Sequence, residues 1–225
     1  MFKYESLIDK CQSNGIPNYN YDGYIRDIIM NLSNRLSDGD FSVVKNAVQE
    51  YKLYKFIKNI IIDRSKCIVE YDDGIISFNI IPKNFYNLFC DDIFKIRKLN
   101  GNCHYVTEKA LKECMNSSEI SAVTSLCIST NYKFFFHSYI CDRKNGKIID
   151  FARNIIMDKD DYDRFFCFYE INNLNYSEYM SRLQNSDYCA DRDNVYSLLY
   201  LACEKLADSN IDIDELVSDK IGMTK

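Results

Sequence analysis

In the stretch LNGNCHYVTEKALKEC, residues 99–114, an Asn-Gly-Asn turn delivers a Cys-His pair onto what reads as the first turn of a helix. A thiol becomes a strong nucleophile when it ionises, and a helix N-terminus favours the thiolate through unpaired N–H groups and the positive end of its dipole. Cys103 occupies that position, with Gly101 letting the backbone turn and Asn102 placed to act as N-cap toward the N–H of His104 or Tyr105. A packing explanation competes with this one. Cys103, Val106, Ala110 and Cys114 also describe the buried stripe of an ordinary amphipathic helix, and free Cys is among the most buried residue types.

A thiolate needs a base, and His137 lies inside the aromatic, strand-forming run Phe134-Phe135-Phe136-His137-Ser138-Tyr139-Ile140. An imidazole is costly to bury there without a partner. Strand alternation sets Phe135, His137 and Tyr139 on one face and Phe134, Phe136, Ser138 and Ile140 on the other. His104 is the other histidine, but directly after Cys103 on a helix its side chain points about 100° away, which ranks it below His137. Asp150, in GKIIDFARN, is an acid inside an apolar strand and asks for a specific partner too. With a two-residue turn at Asn145-Gly146, His137 stands opposite Asn154; with a loop of Asp142 to Asn145, it stands opposite Asp150. Either register keeps Asp150 on the histidine's face, leaving Cys-His-Asp or Cys-His-Asn as the constellation.

The elements that must position these residues read as α+β. FSVVKNAVQEYKLYKFIKNIIID, residues 41–63, places Val44, Val48, Tyr51, Phe56 and Ile60 near one stripe and reads as a core-packing helix. CIVEYDDGIISFNII is a hairpin turning at Asp72, Asp73 and Gly74. Residues 83–99 read as helical, residues 103–115 as a helix, and SAVTSLCIST, KFFFHSYIC and KIIDFARN as strands. Beyond Asp158 the signals are helical, with an N-cap at Ser177 and a helix in DNVYSLLYLACEKLAD. DKDDYDRFFCFYEINNLNY reads as a charged surface over a packed helix rather than a docking surface for assembly. With 2 Pro, 7 Gly and no repeat, we expect one domain, residues 1–225. It divides into a helical region with a hairpin (1–98), a helix-sheet core bearing the candidate residues (99–157) and a helical tail (158–225).

Composition narrows the partners. The chain has 28 Lys+Arg against 33 Asp+Glu, net charge -5, so no basic surplus exists to neutralise a nucleic-acid backbone. No stretch approaches the roughly 20 apolar residues that cross a bilayer, and MFKYESLIDKCQSNG has acids where a signal peptide needs an apolar run, so the expected partners exclude membrane and nucleic acid and the expected location is cytoplasmic. The 10 cysteines follow no disulfide framework and no C-x-x-C spacing, and with 2 histidines they give no reason to expect a metal.

Gly-x-Cys opening a helix, a strand carrying His followed by Ser-Tyr, and a strand ending in Ile-Asp resemble the transglutaminase-like branch of the papain-type thiol enzymes. HSYICDRKNGKIIDFARNIIMDKDDY is similar to small transglutaminase-like proteins of AT-rich bacteria and their phages, and the richness in Asn, Ile and Lys fits that source. The resemblance implies a papain/transglutaminase-like core with no cofactor. In it Cys103 attacks an amide or ester carbonyl, His137 shuttles the proton and Asp150 orients the imidazole. The substrate would be a peptide, a protein or a small amide, acting through a thioester in a peptidase, deamidase or transglutaminase-type reaction. The oxyanion would lie between the Cys103 N–H and a second donor, Asn100 or Asn102, with Asn154 as alternative orienting residue. The contrasting expectation is a catalytically inert binding or host-interaction protein on the same fold, grasping its ligand with some of the 18 Tyr and 14 Phe. Oligomeric state is left open.

Overall fold

The computed structural model describes residues 21–37, 41–51, 54–81, 102–128, 134–186, 196–209 and 211. Among these, six helices surround one eight-stranded sheet in which every neighbouring pair is antiparallel. The helices are α1 (Tyr21–Ser37), α2 (Phe41–Tyr51), α3 (Cys103–Glu113), α4 (Lys159–Phe165), α5 (Tyr176–Asn185) and α6 (Ser197–Asp208). The strands are β1 (Ile57–Asp63), β2 (Lys66–Tyr71), β3 (Gly74–Ile80), β4 (Ile120–Ile128), β5 (Phe134–Asp142), β6 (Lys147–Asp150), β7 (Ile155–Asp158) and β8 (Cys167–Asn175), ordered β1-β2-β3-β7-β6-β5-β4-β8 across the sheet. None of the described helices is long and apolar enough to cross a membrane.

Strand alternation builds two cores, one on each face. Val123, Cys127, Tyr139, Cys141, Ile148 and Met157 face α1, α2 and α4, meeting Ile25, Ile29, Val44, Tyr162 and Phe165. Ala122, Ile140 and Ile149 face the other way, against Val106, Ala110 and Leu111 of α3, Tyr179 and Leu183 of α5 and Leu198 and Leu201 of α6. Each fully buried aliphatic side chain contributes about 1.5–3 kcal/mol, so both layers are anchored by hydrophobic burial.

Several sequence expectations need correction. The helix expected over residues 41–63 ends at Tyr51, and Ile57–Asp63 is a strand. Its β-branched Ile57, Ile60, Ile61 and Ile62 suit the pleated edge they form beside β2. The tail beyond Asp158 is not wholly helical: α4 is followed by β8, which pairs along β4. Asn175, not Ser177, caps α5, in a capping box with Glu178. The hairpin expected in CIVEYDDGIISFNII is present as β2–β3, with Gly74 paired to Tyr71 so that Asp72-Asp73 alone make the turn. The helix expected over residues 83–99 lies outside the described residues.

The β5–β6 hairpin adopts neither register expected from sequence. Ile140 pairs with Ile149, Cys141 with Ile148 and Asp142 with Lys147, so the loop is Arg143 to Gly146. Asp142 Oδ1 accepts the Asn145 N–H at 3.0 Å, and Gly146 closes the loop at φ 61, a left-handed conformation that glycine adopts without strain. Continued by one position, this ladder sets Asp150 opposite Tyr139, diagonal to His137 and on the same face.

Candidate active site

α3 begins at Cys103 and packs against β4, β5 and α6. Asn102 stands at the N-cap, and its carbonyl accepts the Val106 N–H at 2.9 Å, but its side chain makes no capping hydrogen bond. The cap expected of Asn102 is therefore absent, and no side chain closes the helix mouth from that residue. Asn100 and Gly101 lie outside the described residues. Cys103 itself is half-buried, unlike Cys67, Cys127, Cys141, Cys167 and Cys203, which are buried.

His137 and Asp150 meet. His137 donates from Nε2 to Asp150 Oδ2 at 2.8 Å, with both residues buried. A diagonal cross-strand pair is within reach of long or aromatic side chains, which is how an imidazole and a carboxylate two positions out of line connect. With Nε2 committed to Asp150, Nδ1 is the ring nitrogen left to serve Cys103. The β5–β6 ladder covers only Ile140 to Asp142 on β5, so the part of β5 bearing His137 lies beyond its pairing with β6.

Asp150 is held on every side. Beyond His137, its Oδ2 accepts Arg153 Nη1 at 2.9 Å and the Tyr162 hydroxyl at 2.8 Å, and its Oδ1 accepts the Arg153 backbone N–H at 3.0 Å. Arg153 is itself 6% exposed, also donates to the Tyr162 hydroxyl, and its guanidinium lies over Phe135, Tyr162 and Phe166, 4.8 Å from the Phe166 centroid. Ser33 of α1 donates to the Arg153 carbonyl, tying the turn after β6 to the helical layer. Asn154, the alternative orienting residue, sits at φ 59 and offers its carbonyl to the Ile81 N–H at 3.2 Å; Asp150 is the residue that receives His137 Nε2.

The electrostatics follow from this packing. Burial would raise the Cys103 thiol, but the His137 charge, hydrogen bonds from His104 and His137 and the His104 charge outweigh it and bring the thiol down to about 4. Burial and the Arg153 charge oppose protonation of His137, yet Asp150 and the Cys103 thiolate prevail and raise its pKa. Burial works against the ionised Asp150 too, and the charges of His137 and Arg153 overcome it, holding the carboxyl well below the usual carboxylate range. The two shifts share one sign of cause, since a thiolate and an imidazolium in proximity each stabilise the other's charged form.

Sequence reasoning missed Arg153 and Tyr162. Tyr162 lay within the acidic stretch read as a solvated face, and Arg153 carried no pattern at all; its spacing of three residues after Asp150 is a signal only once a turn is known to follow β6. It also underrated His104, which is buried, contributes to lowering the Cys103 thiol and joins Nδ1 to Ser138 Oγ at 2.8 Å. Among the described residues, no group of three or more His, Cys, Asp and Glu is placed to hold a metal ion. Comparison with protein-family models, curated proteins and solved structures gives no match to this chain.

Proposed function

We propose that this protein is a thiol hydrolase or acyltransferase that opens an amide bond through a thioester on Cys103, on a core related to the papain and transglutaminase-like enzymes. The observation that carries the reading is the buried pair of His137 Nε2 and Asp150 Oδ2, 2.8 Å apart, whose imidazole helps bring a thiol at a helix mouth down to about 4. In the proposed reaction the Cys103 sulfur attacks the carbonyl carbon and the carbon–oxygen double bond becomes an oxyanion. The Cys103 N–H and the positive end of α3 stabilise that charge, a contribution of about 3 kcal/mol for one well-placed donor. The intermediate collapses with cleavage of the carbon–nitrogen bond as His137 gives its Nδ1 proton to the departing amine. His137, now neutral, takes a proton from water or an incoming amine, which attacks the thioester and releases the sulfur as thiolate. Asp150 keeps the ring in one orientation throughout.

Trapping the thioester tests this. The protein is incubated with a panel of peptide, glutamine side-chain and small-amide donors, with hydroxylamine as acceptor, and acyl mass is mapped on the cysteines. Acylation at Cys103, with turnover abolished in a folded Cys103→Ser variant, supports the reading. Absence of any acyl adduct, with Cys103 no more reactive than the other thiols, returns the molecule to an inert binding protein. Loss of folding in Cys103→Ser would place the sulfur in the core.

A further inference from the structure

Cys103 is served by two imidazoles, and only one has a part in the reaction above. His104 follows the nucleophile on α3 and is 5% exposed, so its polar ring needs partners. It finds one in Ser138, whose Oγ lies 2.8 Å from His104 Nδ1 and 2.7 Å from Thr124 Oγ1. Ser138 and Thr124 are directly opposite each other in the β4–β5 ladder and are 1% and 0% exposed. They are on the α3 face of the sheet, whereas His137, one residue before Ser138, is on the other. Two rings that bear on the Cys103 thiol are thus fixed on opposite faces of the sheet, His104 by Ser138 and His137 by Asp150.

Resting on the thioester reading above, we infer that His104 is a second catalytic donor, which holds the Cys103 sulfur through Nε2–H and is oriented by the Ser138–Thr124 pair. The proton order follows from the acceptors. A thiolate only accepts, so each ring must present it an N–H. His104 Nδ1 is engaged by Ser138, which leaves Nε2 for the sulfur. Nδ1 then accepts from the Ser138 hydroxyl, and Ser138 accepts from Thr124. The titratable groups around the sulfur are His104 on its own helix and His137 from β5, with Asp150 and Arg153 behind; Glu108, one turn along α3, is turned to Lys112 at 2.6 Å.

The two rings therefore divide the work. His137 exchanges its proton with the leaving and attacking groups; His104 keeps its own. Its donor is most needed when the thioester breaks down, because the leaving group is then the Cys103 sulfur, departing as an anion, and an N–H that already points at it stabilises that charge without reorganisation.

The test measures iodoacetamide labelling of Cys103 against pH, together with acylation and deacylation rates, in the native protein and in His104→Leu, His104→Gln and Ser138→Ala. His104→Leu is expected to move the labelling midpoint up by about one pH unit and to slow deacylation about tenfold or more relative to acylation. His104→Gln restores a donor and should recover most of both effects, and Ser138→Ala should fall between. A folded His104→Leu with the native midpoint and native deacylation overturns the inference while the proposed function stands. If His104→Leu does not fold, Ser138→Ala with native behaviour overturns it equally. Native Cys103 labelling with the midpoint of an ordinary thiol overturns the proposed function, and this inference with it.

Discussion

Cys67 lies in β2, paired to Ile62 on one side and Phe78 on the other, and is 0% exposed. Burial alone pushes its thiol up to about 12. Cys103 is also penalised by burial, yet its thiol is pushed down to about 4 by the groups aimed at it. The two environments separate what burial does from what placement does. A hydrophobic core makes a thiol inert by default, and only charges and donors fixed by other elements, here His137 backed by Asp150 and His104 backed by Ser138, reverse the sign.

The largest expected effect is in alkylation. At pH 6 a thiol titrating near 4 is almost wholly thiolate, whereas one titrating near 12 is ionised about one part in a million. A low-pKa thiolate is intrinsically a weaker nucleophile, which returns part of that advantage. Cys103 should still be carboxamidomethylated at least about a hundredfold faster than Cys67, read by peptide mass spectrometry. The pH profile has a defined sign. As pH falls through about 4 the Cys103 sulfur gains a proton, so its rate should drop tenfold per unit below that value and stay flat between about pH 5 and 8. An ordinary thiol would climb tenfold per unit across the same range. Even labelling of both cysteines would break the comparison.

A smaller effect, but one that touches both chemistry and folding, is expected of Asp150→Asn. The amide can still meet Arg153, but it no longer fixes the His137 tautomer or balances the imidazolium, and turnover should fall by about 100- to 10,000-fold. The same change leaves the Arg153 guanidinium buried with its charge uncompensated, at a cost of about 3 kcal/mol in a urea melt. A variant that lost activity at full stability would show that the Asp150–Arg153 pair contributes nothing to holding the turn after β6.

How much of this was legible in the sequence follows the same division. His137 and Asp150 stood out because ionisable residues in apolar strands demand partners, and alternation placed them on one face whichever hairpin register applied. The register was missed because Asn145-Gly146 resembles a two-residue turn, whereas Gly146 closes a loop that begins at Arg143. Strand β1 was absorbed into a helix because Val44, Val48, Tyr51, Phe56 and Ile60 happen to continue one stripe. The break at Tyr51 depends on the ladder that Ile60 and Ile61 form with Val69 and Ile68, a contact between segments. Arg153 was invisible for a related reason. Its burial requires Phe135 of β5 and Tyr162 and Phe166 in and beside α4 to enclose one guanidinium, and no local pattern announces that. His104 was ranked on helical rotation alone, which omits that Ser138 of β5 presents a partner for its ring on the α3 face of the sheet.

The smallest effect is the one that completes the contrast. Cys67→Ala deletes a buried sulfur far along the sheet from His137, and β2 offers no charge or donor for that sulfur to lose. The expected cost is about 1 kcal/mol, from the small cavity left beside Phe78 and Val69. Turnover and the Cys103 labelling profile should be unchanged, because changes at distant sites that share no partner act independently. Cys103→Ser should behave in the opposite way, with unchanged stability and no turnover. If Cys67→Ala shifted the Cys103 labelling midpoint, the low thiol pKa would have to depend on the rigidity of the whole sheet, and the local pairing of His137 with Asp150 would no longer suffice to explain it.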